Sequence, residues 1–193
     1  IFCNSNKCKI TPPHVLGCQK SLYNCDICGN FQITQTALAS IPPGFIPCLP
    51  KVSAVIKHKT LLGELITIGR ETTKEFVAVA DLEKEYPEDI QKRLHNVLIN
   101  LSKLSPYTGV PIKINENSYP IFFTDSARVD SLEFVLRALE DNISRDTYLI
   151  PCTIQLTPKG WSNIHKKEVN SMTHNIKERV LLAIYEEEQN DVP

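Results

Sequence analysis

Two short-spaced pairs of cysteines near the amino terminus constrain the fold more than any other feature of this sequence. Cys3 and Cys8 form the first pair, and Cys25 and Cys28 form the second, which Gly29 follows directly. Two thiolates a few residues apart can hold one side of a tetrahedral metal ion, and a second pair completes its coordination. The spacing therefore predicts a zinc ribbon over residues 1–50, in which Cys3, Cys8, Cys25 and Cys28 bind one Zn²⁺.

The predicted site is structural, because four thiolates leave no open position at which the metal could activate water. The longer spacing of the first pair leaves one alternative open, in which His14 or Cys18 replaces one of its ligands. The remaining cysteines, Cys48 and Cys152, are predicted to be small core residues. An odd number of cysteines, in a sequence that does not open with a basic and then apolar segment, favours metal binding over a disulfide framework.

The charge of the whole chain is nearly balanced, with 21 basic and 22 acidic residues among 193. No chain-wide field is therefore expected to attract nucleic acid or an anionic membrane. No apolar stretch reaches the roughly 18 residues that a membrane-spanning helix needs, so we expect a cytoplasmic protein. Because the sequence starts at Ile1 and its one methionine is Met172, we expect the natural start to lie upstream.

Prolines that cluster up to Pro50 mark a predicted domain boundary, after which the pattern becomes mainly helical. Apolar residues recur every three or four positions over residues 88–104, which predicts an amphipathic helix. The patterns that follow predict strands at 112–114 and 121–123, a helix over 126–141 capped by Thr124 or Asp125, a strand-like segment over 148–156 and a helix that begins near Pro158. This order predicts an α+β protein, with a winged-helix-like domain over 51–168 and a carboxy-terminal helix or linker over 169–193.

Familiar catalytic motifs are missing from the sequence. It contains no G-x-S-x-G elbow, no phosphate-binding Walker loop, no H-E-x-x-H pair and no G-x-G-x-x-G run. Its five histidines share no spacing that would place a base beside a nucleophile. We therefore predict that this chain alone is not an enzyme.

Lys159, Lys166 and Lys167 form a small basic cluster, which is a weak candidate for nucleic-acid or partner binding. In a winged helix the helix over 126–141 would enter the major groove of DNA, and it carries an excess of acidic residues. These are Asp130, Glu133, Glu140 and Asp141, which Arg137 opposes. Phosphate attraction supplies most non-specific DNA affinity, so the acidic helix favours protein recognition. A DNA-binding transcriptional regulator remains the alternative, and a homo-oligomer formed through a helix over 172–188 is a third possibility.

Three segments carry a resemblance to a known family: YNCDICGNFQITQTALASI, PYTGVPIKI and IQLTPKGWSNI. Together they resemble the zinc-ribbon and winged-helix region that precedes a TIR-like or nucleoside-deoxyribosyltransferase-like effector domain in bacterial antiphage and stress proteins. The resemblance spans most of residues 1–168 and implies a non-catalytic sensor or regulatory module, whose partner is an effector domain or another protein. The apolar strand leading into Met-Trp-Phe that usually opens the next domain of such proteins is absent after Trp161.

Overall fold

The computed structural model describes residues 2–3, 8–12, 20–40, 49–105 and 107–164, which form a mixed α+β protein. The predictions for His14, Cys18 and Cys48, for Lys166 and Lys167, and for a helix after residue 169 lie outside these residues. Within the described ranges, no helix is both long enough and apolar enough to cross a membrane.

The first sheet has four strands and contains the second cysteine pair. Its strands are β1 (Lys9–Thr11), β2 (Lys20–Cys25), β3 (Gly29–Thr34) and β4 (Ile66–Ile68), which lie in this order across the sheet. Strand β2 pairs antiparallel with β1 and β3, and β4 pairs parallel with β3. Phe31 and Ile33 alternate with polar residues along β3 and are buried, as the sequence pattern predicts for a half-buried strand.

Helices α1 (Gln35–Ala39) and α2 (Pro50–Leu61) connect β3 to its parallel neighbour β4. Pro50 lies in the first turn of α2, where a missing backbone N–H costs nothing. Helix α2 packs against β3 and against two helices that follow β4, and its buried residues include Val52, Ala54, Val55 and Ile56. Two elements that follow Pro50 in the sequence thus contact the amino-terminal sheet, and the domain boundary near Pro50 stays a prediction.

The second sheet has three short strands, β5 (Ile112–Ile114), β6 (Ile143–Arg145) and β7 (Cys152–Leu156), in the order β5-β7-β6. Both pairings are antiparallel, with Ile112 opposite Ile154 and Ile143 opposite Leu156. Helices α3 (Val79–Lys84) and α4 (Ile90–Leu104) precede this sheet in the sequence, α5 (Val129–Ala138) lies between β5 and β6, and residues 158–164 are again helical. The predicted helix over 88–104, the strand over 112–114 and the helix near Pro158 are therefore confirmed.

The predicted strand over 121–123 is wrong, because these residues lie in a turn. Ile121 donates its backbone N–H to the carbonyl of Ser118, and Thr124 donates to the carbonyl of Tyr119, so neither amide pairs with a strand. Phe122 and Phe123 are buried, and this burial produced the apolar pattern. Phe123 has a φ of 49°, which no regular strand adopts.

Helix α5 is shorter than predicted and begins after Arg128. Neither Thr124 nor Asp125 caps it, because the Thr124 hydroxyl donates to the carbonyl of Ser126, 2.7 Å away, within the preceding loop. The chain leaves the helix after Ala138 and enters strand β6 at Ile143, so the predicted end near residue 141 is also too late.

Hydrogen bonds between largely buried groups join α2 to α4 and to the turn over residues 121–123. Nδ1 of His58 on α2 and Oδ1 of Asn100 on α4 share a hydrogen bond of 2.7 Å. The amide of Asn100 donates to the carbonyl of Ile121 at 2.8 Å, and the Tyr86 hydroxyl donates to the carbonyl of Phe123. Helix α2 therefore contacts the first sheet on one side and the α4 region on the other.

Candidate metal centre

Three of the four predicted zinc ligands come together at the end of the β2–β3 hairpin. Cys25 is the last residue of β2, Cys28 lies in the turn before β3, and Cys3 approaches from the preceding segment. Their sulfur atoms all lie within 4.8 Å of one another, and Sγ of Cys3 and Sγ of Cys25 are 3.4 Å apart. All three side chains are buried, and no disulfide links them.

The local backbone explains why the second pair converges. The ladder between β2 and β3 closes with Cys25 opposite Gly29, so the chain must reverse within three residues. Gly29 has a φ of 94°, a left-handed conformation that suits glycine. The backbone N–H of Cys28 points at the sulfur of Cys25, with 3.4 Å between N and Sγ. Such an amide stabilises a thiolate, as in metal-binding cysteine turns.

Cys8, the fourth predicted ligand, is half-buried and lies beside the cluster. Burial, followed by a hydrogen bond with Cys25, raises the pKa of its thiol to about 12. The negative charge on Cys25 and Cys3 contributes further to this increase. Cys8 is not among the sulfurs that all lie within 4.8 Å of one another, so its assignment as the fourth ligand stays a prediction.

The thiols compete for one negative charge. Hydrogen bonds with Cys28 and Cys3 lower the pKa of Cys25, while the hydrogen bond with Cys25 raises the pKa of Cys28. One thiolate is thus stabilised by protons on its neighbours. A divalent cation that replaces those protons would stabilise several thiolates together.

The sulfur geometry fits a tetrahedral zinc site. Zn–S bonds of about 2.3 Å place the sulfurs of a tetrahedral thiolate site about 3.8 Å apart. The distance of 3.4 Å between the sulfurs of Cys3 and Cys25 is somewhat shorter than this value, and all three sulfurs lie within 4.8 Å of one another. The donor set is also chemically suitable, because thiolates prefer zinc and other soft cations to magnesium or calcium.

Residues of helix α2, which the sequence does not predict to be part of the site, contact the cysteine cluster and its turn. The Cys28 thiol donates to Oγ of Ser53 at 3.4 Å, and the Ser53 hydroxyl donates to the carbonyl of Phe2 at 2.8 Å. One turn later, Nζ of Lys57 donates to the carbonyl of Asp26, 3.1 Å away. Thr60 binds both the N–H and the carbonyl of Asn30 through its hydroxyl. The available sequence signal is Ser53, a polar residue inside the apolar run from Val52 to Ile56.

The other predicted site residues lie away from this cluster. Cys152 is buried in β7 of the second sheet, where burial raises the pKa of its thiol. Lys159 is exposed and forms an ion pair with Asp141, with 2.5 Å between Nζ and Oδ2. Of the three lysines in the predicted basic cluster, the structure describes Lys159, and Lys166 and Lys167 fall outside the described residues.

Exposed apolar side chains occur on α5 and on the loop between β6 and β7. Phe134 on α5 is 63% exposed, and Tyr148 and Leu149 in the loop are 78% and 77% exposed. Phe134 borders a cavity of about 350 Å³ between α4 and α5, which Ile90 and Asp130 also line. Exposed large apolar side chains are candidates for contacts with other proteins where they form a contiguous patch.

Comparisons of the chain with known protein families, with curated proteins and with solved structures found no match.

Proposed function

We propose that this chain is a non-catalytic, zinc-binding regulatory module that acts through contacts with another protein. The observation that carries the proposal is the cluster of buried sulfurs from Cys3, Cys25 and Cys28, all within 4.8 Å of one another. With Cys8 as the fourth ligand, the zinc would stabilise a zinc ribbon formed by the first sheet. A closed four-thiolate site has a structural role, because no coordination position is left for a substrate.

We further propose that residues 90–156 form a winged-helix-type domain. The order of elements supports this proposal: α4, β5, α5 and then the hairpin of β6 and β7. The strand order β5-β7-β6, in which the last strand lies between the other two, also supports it. In this arrangement α5 is the helix that would meet a partner, and the loop between β6 and β7 is the wing.

The charges around α5 favour a protein partner over DNA. Arg128 pairs with Asp130 at 2.8 Å, Arg145 pairs with Glu133 at 3.2 Å, and Lys159 pairs with Asp141. Three cations that could attract phosphates are thus each neutralised by a carboxylate on or beside α5. Phe134 on α5 and Tyr148 and Leu149 in the wing are exposed apolar side chains, which suit a protein interface better than a DNA backbone.

A DNA-binding regulator is the second candidate, and the strand order of the second sheet is the observation that favours it. The assignment to a bacterial antiphage or stress-response protein rests on the sequence resemblance alone. In that setting the partner would be an effector domain, and the zinc ribbon and the winged helix would control its activity.

Metal analysis of the full chain, purified without chelator, tests the proposed zinc site. We expect one zinc per chain and a marked loss of zinc in Cys25→Ser, with faster proteolysis within residues 1–48. Cys152→Ser is the matched control, because Cys152 is a buried cysteine of the second sheet, and it should retain the full zinc content. Protein that contains no zinc, or equal zinc in Cys25→Ser and the unaltered chain, would contradict the proposal.

A further inference from the structure

A zinc ion bound by four thiolates has a net charge of about −2, and burying that charge requires compensation from the protein. Cys25 and Cys28 are almost completely buried, so water provides little of this compensation. The backbone N–H of Cys28 contacts the sulfur of Cys25, but an amide carries only a partial charge. A cation near the β2–β3 turn would therefore increase the affinity for the metal.

We infer that Lys57 is a positioning residue for the metal centre, whose ammonium group offsets the negative charge of the bound thiolates. Nζ of Lys57 donates to the carbonyl of Asp26, which lies in the turn between Cys25 and Cys28. Ser53, four residues earlier on α2, contacts the sulfur of Cys28. Residues four apart lie on the same face of a helix, so this face of α2 covers the cysteine turn. The inference rests on the metal-binding function proposed above.

The electrostatic environment of Lys57 supports this role. Burial lowers the pKa of Lys57, while negative charge on Cys25, Cys28 and Asp26 acts in the opposite direction. The ammonium group lies 3.1 Å from the carbonyl oxygen of Asp26, in the turn that carries both cysteines. A half-buried lysine beside the turn is screened less by solvent than a surface lysine.

The other two lysines of α2 have different surroundings. Lys59 forms ion pairs with Glu85 at 2.9 Å and with Glu64 at 3.7 Å. Nζ of Lys51 lies over the ring of Tyr86, 5.6 Å from its centroid. Lys51 is therefore a matched control, since it is a lysine of the same helix whose charge is directed at another part of the protein.

Competition with a chromophoric zinc chelator at neutral pH, using the full chain, measures the effect. Lys57→Met keeps the length of the side chain and removes its charge, and we expect the affinity for zinc to fall by about 10- to 100-fold. Lys57→Arg keeps the charge and should recover most of the affinity. Lys51→Met should bind zinc like the unaltered chain.

Cobalt(II) substitution provides a second measurement, because its absorption reports a tetrahedral thiolate site. The spectrum of Lys57→Met should keep the shape of the unaltered protein and require more cobalt to develop. Unchanged affinity in Lys57→Met, or Lys57→Arg as weak as Lys57→Met, would overturn the role of Lys57 while leaving the zinc site intact. If Lys57→Met does not fold, Lys57→Gln is compared with Lys57→Arg on the same criteria. An unaltered chain that binds neither metal would overturn both this inference and the proposed zinc site.

Discussion

Cys25 is the residue at which the contacts of the thiol cluster converge. Its sulfur lies 3.4 Å from the sulfur of Cys3 and 3.4 Å from the backbone N of Cys28, and it also forms a hydrogen bond with Cys8. These contacts stabilise a thiolate at Cys25 before any metal binds, as the lowered pKa of its thiol indicates. The neighbouring thiols then lose their protons as the cation binds.

Gly29 allows the chain to turn directly after Cys28. A comparison of Gly29 with Gly63 distinguishes the backbone strain that an added methyl group causes from its steric overlap with neighbouring atoms. Gly29 and Gly63 both have positive φ, at 94° and 83°. A Cβ at Gly29 would lie 2.5 Å from Oγ1 of Thr60, whereas a Cβ at Gly63 would meet nothing within 4 Å. Thr60 cannot rotate away without losing its hydrogen bonds to Asn30.

We expect Gly63→Ala to lower the free energy of unfolding by about 1 kcal/mol, through backbone strain alone. Gly29→Ala should lower it by about 2–4 kcal/mol, because strain and overpacking add. Urea unfolding of the zinc-loaded proteins measures both values. Equal losses in the two variants would mean that the contact with Thr60 is not tight.

Asp146 of the β6–β7 hairpin makes the stability of the protein depend on pH in the acid range. Its carboxylate accepts the backbone N–H of Thr153 at 2.8 Å, which lowers the pKa of Asp146 below its ordinary value. A lowered folded-state pKa contributes stability above the unfolded-state pKa of about 3.9, and this contribution disappears as the pH falls through the folded-state value. Asp146→Asn keeps an oxygen acceptor and cannot titrate.

The stability difference between the unaltered chain and Asp146→Asn should therefore shrink as the pH falls from about 5 to below 4. Denaturant unfolding at a series of pH values measures this difference. Loss of zinc in acid affects both proteins alike and cancels in the comparison. A difference that stays constant over this range would show that the hydrogen bond from Thr153 does not favour the ionised carboxylate.

At the scale of the elements, α2 joins the metal centre to the second half of the protein. Ser53 contacts the cysteine cluster on one side of α2, and His58 binds Asn100 of α4 on the other. Asn100 is completely buried and also donates to the carbonyl of Ile121. Helix α2 thus contacts the cysteine cluster directly and the loop before α5 through Asn100.

Asn100→Ala should lower the free energy of unfolding by about 2–3 kcal/mol, because it leaves the Ile121 carbonyl and His58 without their partner in a buried environment. Asn96→Ala, one turn earlier on α4 and half-buried, is the control and should cost less than about 1 kcal/mol. Thermal and denaturant unfolding measure both. A small effect of Asn100→Ala would indicate that water replaces the lost hydrogen bonds.

The elements that the sequence predicted correctly are those whose burial follows a local period. Helix α4 has a regular apolar face, and in β5 the buried Ile112 and Ile114 flank the exposed Lys113. The strand predicted over 121–123 is wrong because Phe122 and Phe123 lie in a turn and are nevertheless buried. Apolar content alone does not distinguish a buried turn from a strand. Strand β6 is as short as β5 but contains one apolar residue, Ile143, and so shows no alternation.

At the scale of the whole molecule, the metal centre was only partly predictable. Cys25 and Cys28 lie in one tight turn, so their spacing in the sequence reflects their distance in space. The contacts from Ser53 and Lys57 join segments more than 20 residues apart, and the parallel pairing of β3 with β4 spans a similar separation. Such contacts depend on how α2 folds back on the sheet, which no local pattern encodes.

The balance of charge and apolar exposure around α5 predicts how the whole protein responds to DNA. Because Arg128, Arg145 and Lys159 are paired with carboxylates, few cations are available for phosphates. We expect duplex DNA to bind with a Kd of only about 10⁻⁴ to 10⁻⁶ M at physiological salt, and more weakly as salt increases. Fluorescence anisotropy with labelled duplexes of varied sequence measures this affinity.

Reversing two exposed acids, in Asp130→Lys with Glu140→Lys, should strengthen binding and steepen its salt dependence, whereas Phe134→Ala should change neither. Nanomolar binding to one sequence at physiological salt, lost in Arg137→Ala, would instead identify α5 as a DNA-recognition helix and favour the transcriptional regulator.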